Sequence, residues 1–531
     1  MKTKAYAGTG ALIRLILRRD WLLLLMCVVL PALIAVVTAA GFNQLFPTAA
    51  SLQAFASGVA SSPAESAPLG PIYAPTLGGI TAWRWSGFNA LLVGLGSMLF
   101  VIRHTRTEEE AGRLELLDSS VVGRQAVLSA SLVVTLGANV VIAALVAGGL
   151  IAYGLPVAGS VALGLSVAAV GWTFAAIAGV TAQLTESAGA AKGIAAAILA
   201  LCYLLFVVGG ISAYNGLAWL SPIGLMRLIQ PFAGERWWIF ALFIGPVIVF
   251  TVAAFALSTR RDMGAGVLRP RPGPASASPS LRSPLALAWR LHRSTLLAWA
   301  AGFVLYGAVL GGVAKTAANQ FTASPQLAQL LAKLGGSAGL SDSFLTFAMS
   351  IICEIAVIYA IMAILQMQAE ETKARLDPVL ATSVSRLRWT TSYVLLAALG
   401  TAVVLAAFGM SAGLAYGLST GNVGYELPRV LAATLAYLPA IWVLAGIAVA
   451  LYGLIPRFTF LSWGALLGVI LIELFGTILK VNQSILNISP FTHVPQVLVG
   501  EVSFMPLIWL SVVAFILIVT GLIGFQRRSI G

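Results

Sequence analysis

Apolar runs long enough to cross a bilayer recur along the whole chain, and they limit the fold before any motif is considered. Trp21–Phe42 carries no charged side chain. A helix of about 20 such residues spans the hydrocarbon layer, where only helices and closed barrels satisfy their own backbone. Further runs lie at about 85–102, 125–153, 158–183, 191–213, 237–258, 295–314, 344–368, 390–417, 428–453, 458–479 and 505–525. With 59% hydrophobic and only 9% charged residues, the chain has too little polar surface for a soluble body. The reading is an all-α polytopic membrane protein of about twelve transmembrane helices. Its first apolar run is long enough to span, so no cleaved leader is expected.

The most charged stretch between spans, Glu108 to Arg124, is written twice. Glu370 to Arg386 aligns with it without a gap at an offset of 262. Glu108/Glu370, Glu109/Glu371, Arg113/Arg375, Leu114/Leu376, Val122/Val384 and Arg124/Arg386 are identical, and Glu115/Asp377 is conservative. Ser221-Pro222 and Ser489-Pro490 echo each other more weakly. Arg260 to Pro284 is rich in Arg, Pro, Gly and Ser, the composition of a linker. The organisation read from this is residues 1–259 as a first six-span half, 260–284 as a linker, and 285–531 as a second six-span half. Internal repetition of this kind builds many transporter folds. Basic amphipathic segments, at residues 11–19 and at Leu285–Arg293, precede the first span of each half and suit elbow helices lying on a membrane surface.

Charge sets an orientation. With the N-terminus inside, the expected cytoplasmic segments hold 24 of the 31 Lys and Arg. The external ones hold Arg84, Arg227, Arg236, Lys315, Lys333, Arg429 and Lys480. The positive-inside rule therefore puts both termini, the linker and both charged stretches in the cytoplasm. The net charge of +13 is explained by membrane edges and anionic lipid rather than nucleic acid.

In the first charged stretch Ala111, Leu114, Leu117 and Val121 recur at helical spacing; in the second, Leu376, Val379 and Leu380 make a similar face. Acidic residues lead each stretch, where they complement a helix dipole. A solvated loop need not keep such a pattern twice, so the pair reads as two handles for a partner.

Two six-span halves, each with an elbow helix and with EE…RL[ED]…R after its second span, resemble the permease subunits of type-2 ABC exporters. The closer resemblance is to the actinobacterial-type multidrug and polyketide-antibiotic (tetronasin-like) exporter permeases, which fuse two halves in one chain. It covers nearly all of the sequence. It implies a coupling helix 1 carrying Glu108, Glu109, Arg113, Leu114, Glu115 and Arg124, and a coupling helix 2 carrying Glu370, Glu371, Arg375, Leu376, Asp377 and Arg386. It further implies two copies of a cytoplasmic ABC ATPase docked there, with ATP and Mg bound by that partner and no cofactor in this chain. The cargo would be a hydrophobic or amphiphilic drug or antibiotic leaving across a bacterial cell membrane. The second copy departs from the first in having Pro378 at the position of Leu116, which predicts a shorter or kinked helix.

No phosphate-binding loop is present: Gly311-Gly312-Val313-Ala314-Lys315-Thr316 lacks the glycine before lysine. Cys27, Cys202 and Cys353 lie singly in apolar runs, and three His are too scattered for a metal site. Glu354 and Glu473 fall inside spans, where carboxylates are costly. Their functional reading is to line a translocation path, bind a cationic drug or titrate; the alternative is a neutral or hydrogen-bonded carboxyl between helices, or one lying nearer an interface. The same two residues sustain a rival reading, a proton-coupled secondary multidrug antiporter. A third, a membrane-embedded lipid-modifying or glycosyl-transferring enzyme, has only Glu65, Asp342, Glu426, Glu501 and His493, scattered singly, to draw on.

Overall fold

The computed structural model describes residues 5–60, 69–113, 122–209, 212–262, 264–268, 276, 281, 283–322, 340–476, 482–498 and 503–528, and among them there is no strand. The chain forms two compact units, Met1–Gly273 and Pro274–Gly531. Each buries its own apolar core.

In the first unit α1 (Thr9–Arg19) is the elbow, followed by α2 (Trp21–Leu45), α3 (Ala49–Ala60), α4 (Leu77–His104), α5 (Arg106–Glu110), α6 (Ala126–Ala152), α7 (Val157–Leu184), α8 (Ala188–Val208), α9 (Pro222–Leu228) and α10 (Phe240–Arg260). Asp20, with non-helical backbone, separates α1 from α2. The segment between the first two spans is helical over α3. Close approach of α6 and α7 requires Gly164, where a side chain would strike the Ala143 carbonyl.

The second unit contains α11 (Pro284–Thr322), α12 (Leu340–Thr372), α13 (Leu376–Leu380), α14 (Arg386–Thr420), α15 (Val423–Leu435), α16 (Leu438–Leu454), α17 (Leu461–Gly476), α18 (Gln483–Leu486) and α19 (Met505–Arg527). The expected separate elbow at Leu285–Arg293 is instead the first turns of the continuous α11. Nothing there plays the part of Asp20: the stretch holds no Gly or Pro after Pro284 until Gly302, so the helix runs on. The loop expected to hold Glu426 and Arg429 is also helical. A two-residue turn at Gly421-Asn422, with Gly421 left-handed (φ 80°), leads directly into α15. α11 packs along α14, and α16 along α19, where Gly453 and Gly521 let the two backbones meet.

Among the described residues eleven helical stretches are long and apolar enough to cross a membrane. The twelfth expected run, 458–479, gives the shorter α17 of 16 residues, and 477–481 lie outside the described residues. The chain is an all-α multi-pass membrane protein.

Candidate functional site

The repeated charged stretches fold into the same turn in both units. In the first, α4 ends at His104, Thr105 breaks the helix, and α5 carries Glu108 and Glu109 in its first turn. Gly112 then adopts a left-handed conformation (φ 70°), and its N–H donates to the Glu109 carbonyl at 3.0 Å. In the second, α12 runs on to Thr372. Ala374, which aligns with Gly112, is also left-handed (φ 52°) and donates to the Glu371 carbonyl at 2.9 Å, while Arg375 N–H donates to the Glu370 carbonyl at 3.0 Å. Those two bonds make a Schellman cap, which normally favours glycine at the left-handed position.

The turn brings each repeated arginine back onto a repeated glutamate. Arg113 Nη1 donates to both Glu108 oxygens at 3.0 Å; Arg375 Nη1 lies 3.6 Å from Glu370 Oε1. Glu108 also accepts from Arg19 of the elbow at 2.8 Å, and this carboxylate holds the Arg19 pKa above its usual value. Arg113 and Arg375 remain largely exposed.

The second glutamate of each pair points inward. Glu109 is 2.8 Å from Arg106 Nη1, off the line of a good hydrogen bond. It accepts from both terminal nitrogens of Arg261 at 2.6 and 2.7 Å and from Gly264 N–H at 2.7 Å. Its side chain is 8% exposed and that of Arg106 is fully buried. Glu371 pairs with Arg528 and accepts from the Tyr452 hydroxyl at 2.8 Å. Arg261 and Arg528 are the residues directly beyond α10 and α19, the last helices of the two units. Arg124 completes the first arrangement by donating to the Arg261 carbonyl; Arg386 does the same to the Arg528 carbonyl at 2.7 Å. The arginine's other bonds reach a fourth helix end: Arg261 Nε to Gln183 of α7 at 2.7 Å, and Arg528 Nη1 to the Tyr452 carbonyl of α16 at 2.9 Å. Glu110 adds a bond from Ala188 N–H at the start of α8 (2.9 Å). Val267 and Leu268, in what the sequence reads as linker, donate to the carbonyls of Gln183 and Leu184.

The geometry therefore separates the predicted residues into two groups. Glu109, Glu371, Arg124 and Arg386 tie helix ends together within each unit. Arg113, Arg375 and Asp377 face outward, Asp377 on the exposed side of α13 beside Pro378. α13 is a single short helix with Pro378 in its first turn, where a missing N–H costs nothing. Its apolar face does not point to a partner: Leu376 is buried, and Val379 and Leu380 pack on the core of the second unit. Leu114 and Glu115 lie outside the described residues. Arg261, Arg528 and Tyr452 were missed from sequence, although the two arginines share a legible position directly after the last apolar run of each half.

Glu354 and Glu473 stand apart from this site, on α12 and α17, which pack together. Glu354 is 8% exposed. Glu473 accepts a hydrogen bond from Ser489 Oγ at 2.7 Å, so the second Ser-Pro motif serves a carboxylate. The first does not: Ser221 Oγ donates to the Cys202 carbonyl at 2.7 Å and caps α9. Among the described residues no group of three or more His, Cys, Asp or Glu is placed to hold a metal ion.

Residues 281–526 match the family model described as the C-terminal domain of the multidrug efflux system permease Rv1217c. The chain is 39% identical over 526 residues to the multidrug efflux system permease protein Rv1217c of Mycobacterium tuberculosis (strain ATCC 25618 / H37Rv), covering 99% of this chain and 96% of that protein. An identity of this size over nearly the whole of both chains makes the chain a member of the Rv1217c-type family of multidrug efflux system permeases.

Proposed function

We propose that this chain is the membrane-spanning permease subunit of an ATP-driven exporter that moves hydrophobic or amphiphilic drugs out of a bacterial cell. Two copies of a separate ATPase bind the cytoplasmic turns that begin at Glu108 and Glu370, and the substrate path runs through the membrane. The chain itself performs no hydrolysis; it changes its affinity for cargo between two states. The observation that carries the reading is the repeated latch. A turn tied to the ends of four helices in its unit transmits a push to all of them, whereas a free loop would absorb it. The outward residues Arg113, Arg375 and Asp377 supply the contact, and Glu109 and Glu371 supply the stiffness. The purified chain should show no ATPase activity. Together with its ATPase, drug should stimulate hydrolysis, and the pair Arg375→Ala and Asp377→Ala should weaken that stimulation without lowering the melting temperature. Stimulation that survives these changes would remove the second turn from the coupling route.

The membrane carboxylates Glu354 and Glu473 support a second reading, a proton-coupled antiporter. It is distinguished by energetics: efflux abolished by an uncoupler while ATP remains high would favour it and displace the first.

A further inference from the structure

Arg227 is the buried cation that the permease reading leaves unused. It lies on α9, 8% exposed, beside Gly79, Ala82, Trp83 and Ser86 of α4, roughly 30 Å along that helix from the charged turn. Nη1 and Nη2 donate to the carbonyls of Phe206 and Gly209 at 3.3 and 2.7 Å, and the guanidinium sits 4.9 Å from the Phe206 ring centre. Nε has no hydrogen-bond partner among the described residues. No carboxylate among the described residues lies within ion-pair distance of it. The Tyr73 phenol also bears on its charge. Burial accordingly pulls its pKa below the usual arginine value.

The surroundings form a cleft with about 30 Å³ of free interior space, lined by Leu69, Tyr73, Trp83, Phe206, Arg227 and Pro231 among others. That is room for about two waters, enough for a compact head group and too little for the body of a drug. The walls are apolar and aromatic. The backbone is shaped to admit the guanidinium: Gly70 is left-handed (φ 80°), and a side chain there would collide with Arg227. Trp83 Nε1 holds the Gly70 carbonyl at 2.7 Å. Gln230 and Phe232, either side of Pro231, are both left-handed without being glycine (φ 56° and 65°), strain of a kind that gathers at ligand clamps.

A structural alternative is that Arg227 only caps the C-terminal end of α8. A cation at a helix end contributes less than the burial of an unpaired charge costs, and capping leaves the charge unmatched among the described residues. We propose that this cleft binds a compact oxyanion carried on an apolar tail, the anion against Arg227 and the tail along the aromatic wall. Two sources share that chemistry, an anionic membrane lipid and a free carboxylated amphiphile. The proposal needs no ATP coupling and stands or falls apart from the permease reading.

The test uses the full chain in nanodiscs of neutral phosphatidylcholine, with decanoate as probe and decanol and decyltrimethylammonium as controls of equal tail length. Decanoate should bind saturably, and Arg227→Gln should weaken it at least tenfold while Arg227→Lys keeps part of the affinity; the two controls should not respond to either change. Adding phosphatidylglycerol to the disc identifies the source. Suppression of decanoate binding assigns the site to lipid, and indifference assigns it to a free amphiphile. If Arg227→Gln does not fold, Ala74→Phe, at another position lining the cleft, narrows it without changing the guanidinium and should also weaken decanoate. Decanoate bound equally by a folded Arg227→Gln chain, or decanol bound as tightly as decanoate, overturns the proposal. So does a variant that melts earlier yet binds normally, which is what a pure cap would do.

Discussion

The two latches share a plan and differ in filling. Both join an inward glutamate to an arginine just past the unit's last helix, whose carbonyl holds a second arginine at the start of the third span. In the first unit Glu109, 8% exposed, faces two arginines and a backbone N–H. In the second, Glu371 faces one arginine and a phenol and is 22% exposed. The first also reaches the elbow through Arg19. What the repeat specifies is the skeleton of the clamp, and its stiffness is set by residues outside the repeat.

The largest expected effect breaks that comparison directly. Glu109→Gln removes the charge facing two guanidinium groups, which are left with carbonyl and Gln183 partners, and should destabilise the first unit by about 3–5 kcal/mol. Glu371→Gln leaves Arg528 bonded to the Tyr452 carbonyl and should cost about 1–3 kcal/mol. Unfolding of each variant in detergent checks the ranking; equal losses would mean the burial difference is energetically idle. Next, Arg124→Ala removes a charged hydrogen bond to the Arg261 carbonyl, and Arg386→Ala removes one to the Arg528 carbonyl with a longer one to Gln526; each should cost about 1–2 kcal/mol. At the turn itself the signs should oppose. Ala374→Gly relieves a left-handed alanine and should stabilise by about 1 kcal/mol, while Gly112→Ala should cost about as much. Melting temperatures moving in opposite directions would verify that the turns are conformationally equal. The smallest effect on stability should come from Arg113→Ala and Arg375→Ala, exposed pairs worth under about 1 kcal/mol. If their loss leaves melting unchanged but lowers drug-stimulated ATP hydrolysis, their role lies with a partner.

Much of this was legible in the sequence for definite reasons. Span lengths and the 262-residue repeat are local patterns, and they located Glu108, Glu109, Arg113 and Arg124 with their second copies. Partnership was not legible. Glu109 meets Arg261 across 152 residues, and Glu371 meets Arg528 across 157, distances over which periodicity says nothing. The turn was hidden because Ala374 does not advertise a left-handed conformation as Gly112 does. The apolar face of α13 was visible from spacing, but its direction, toward the unit's own core, was decided by packing. Arg227 read as an ordinary basic residue near a membrane edge because its burial depends on Phe206 and Gly70, which are far from it in sequence.

Asp20 extends the same logic to the order in which the chain is made. It sits 6% exposed between α1 and α2 and accepts from Arg103 at 2.9 Å, with His104 Nε2 2.8 Å away. During synthesis that carboxylate leaves the ribosome 83 residues before Arg103, and Glu109 then waits for Arg261. The elbow is thus secured when the second span arrives, and the turn only when the sixth does. A nascent chain stopped short of the second span would carry Asp20 without Arg103, and one stopped short of the sixth would leave Glu109 with Arg106 alone.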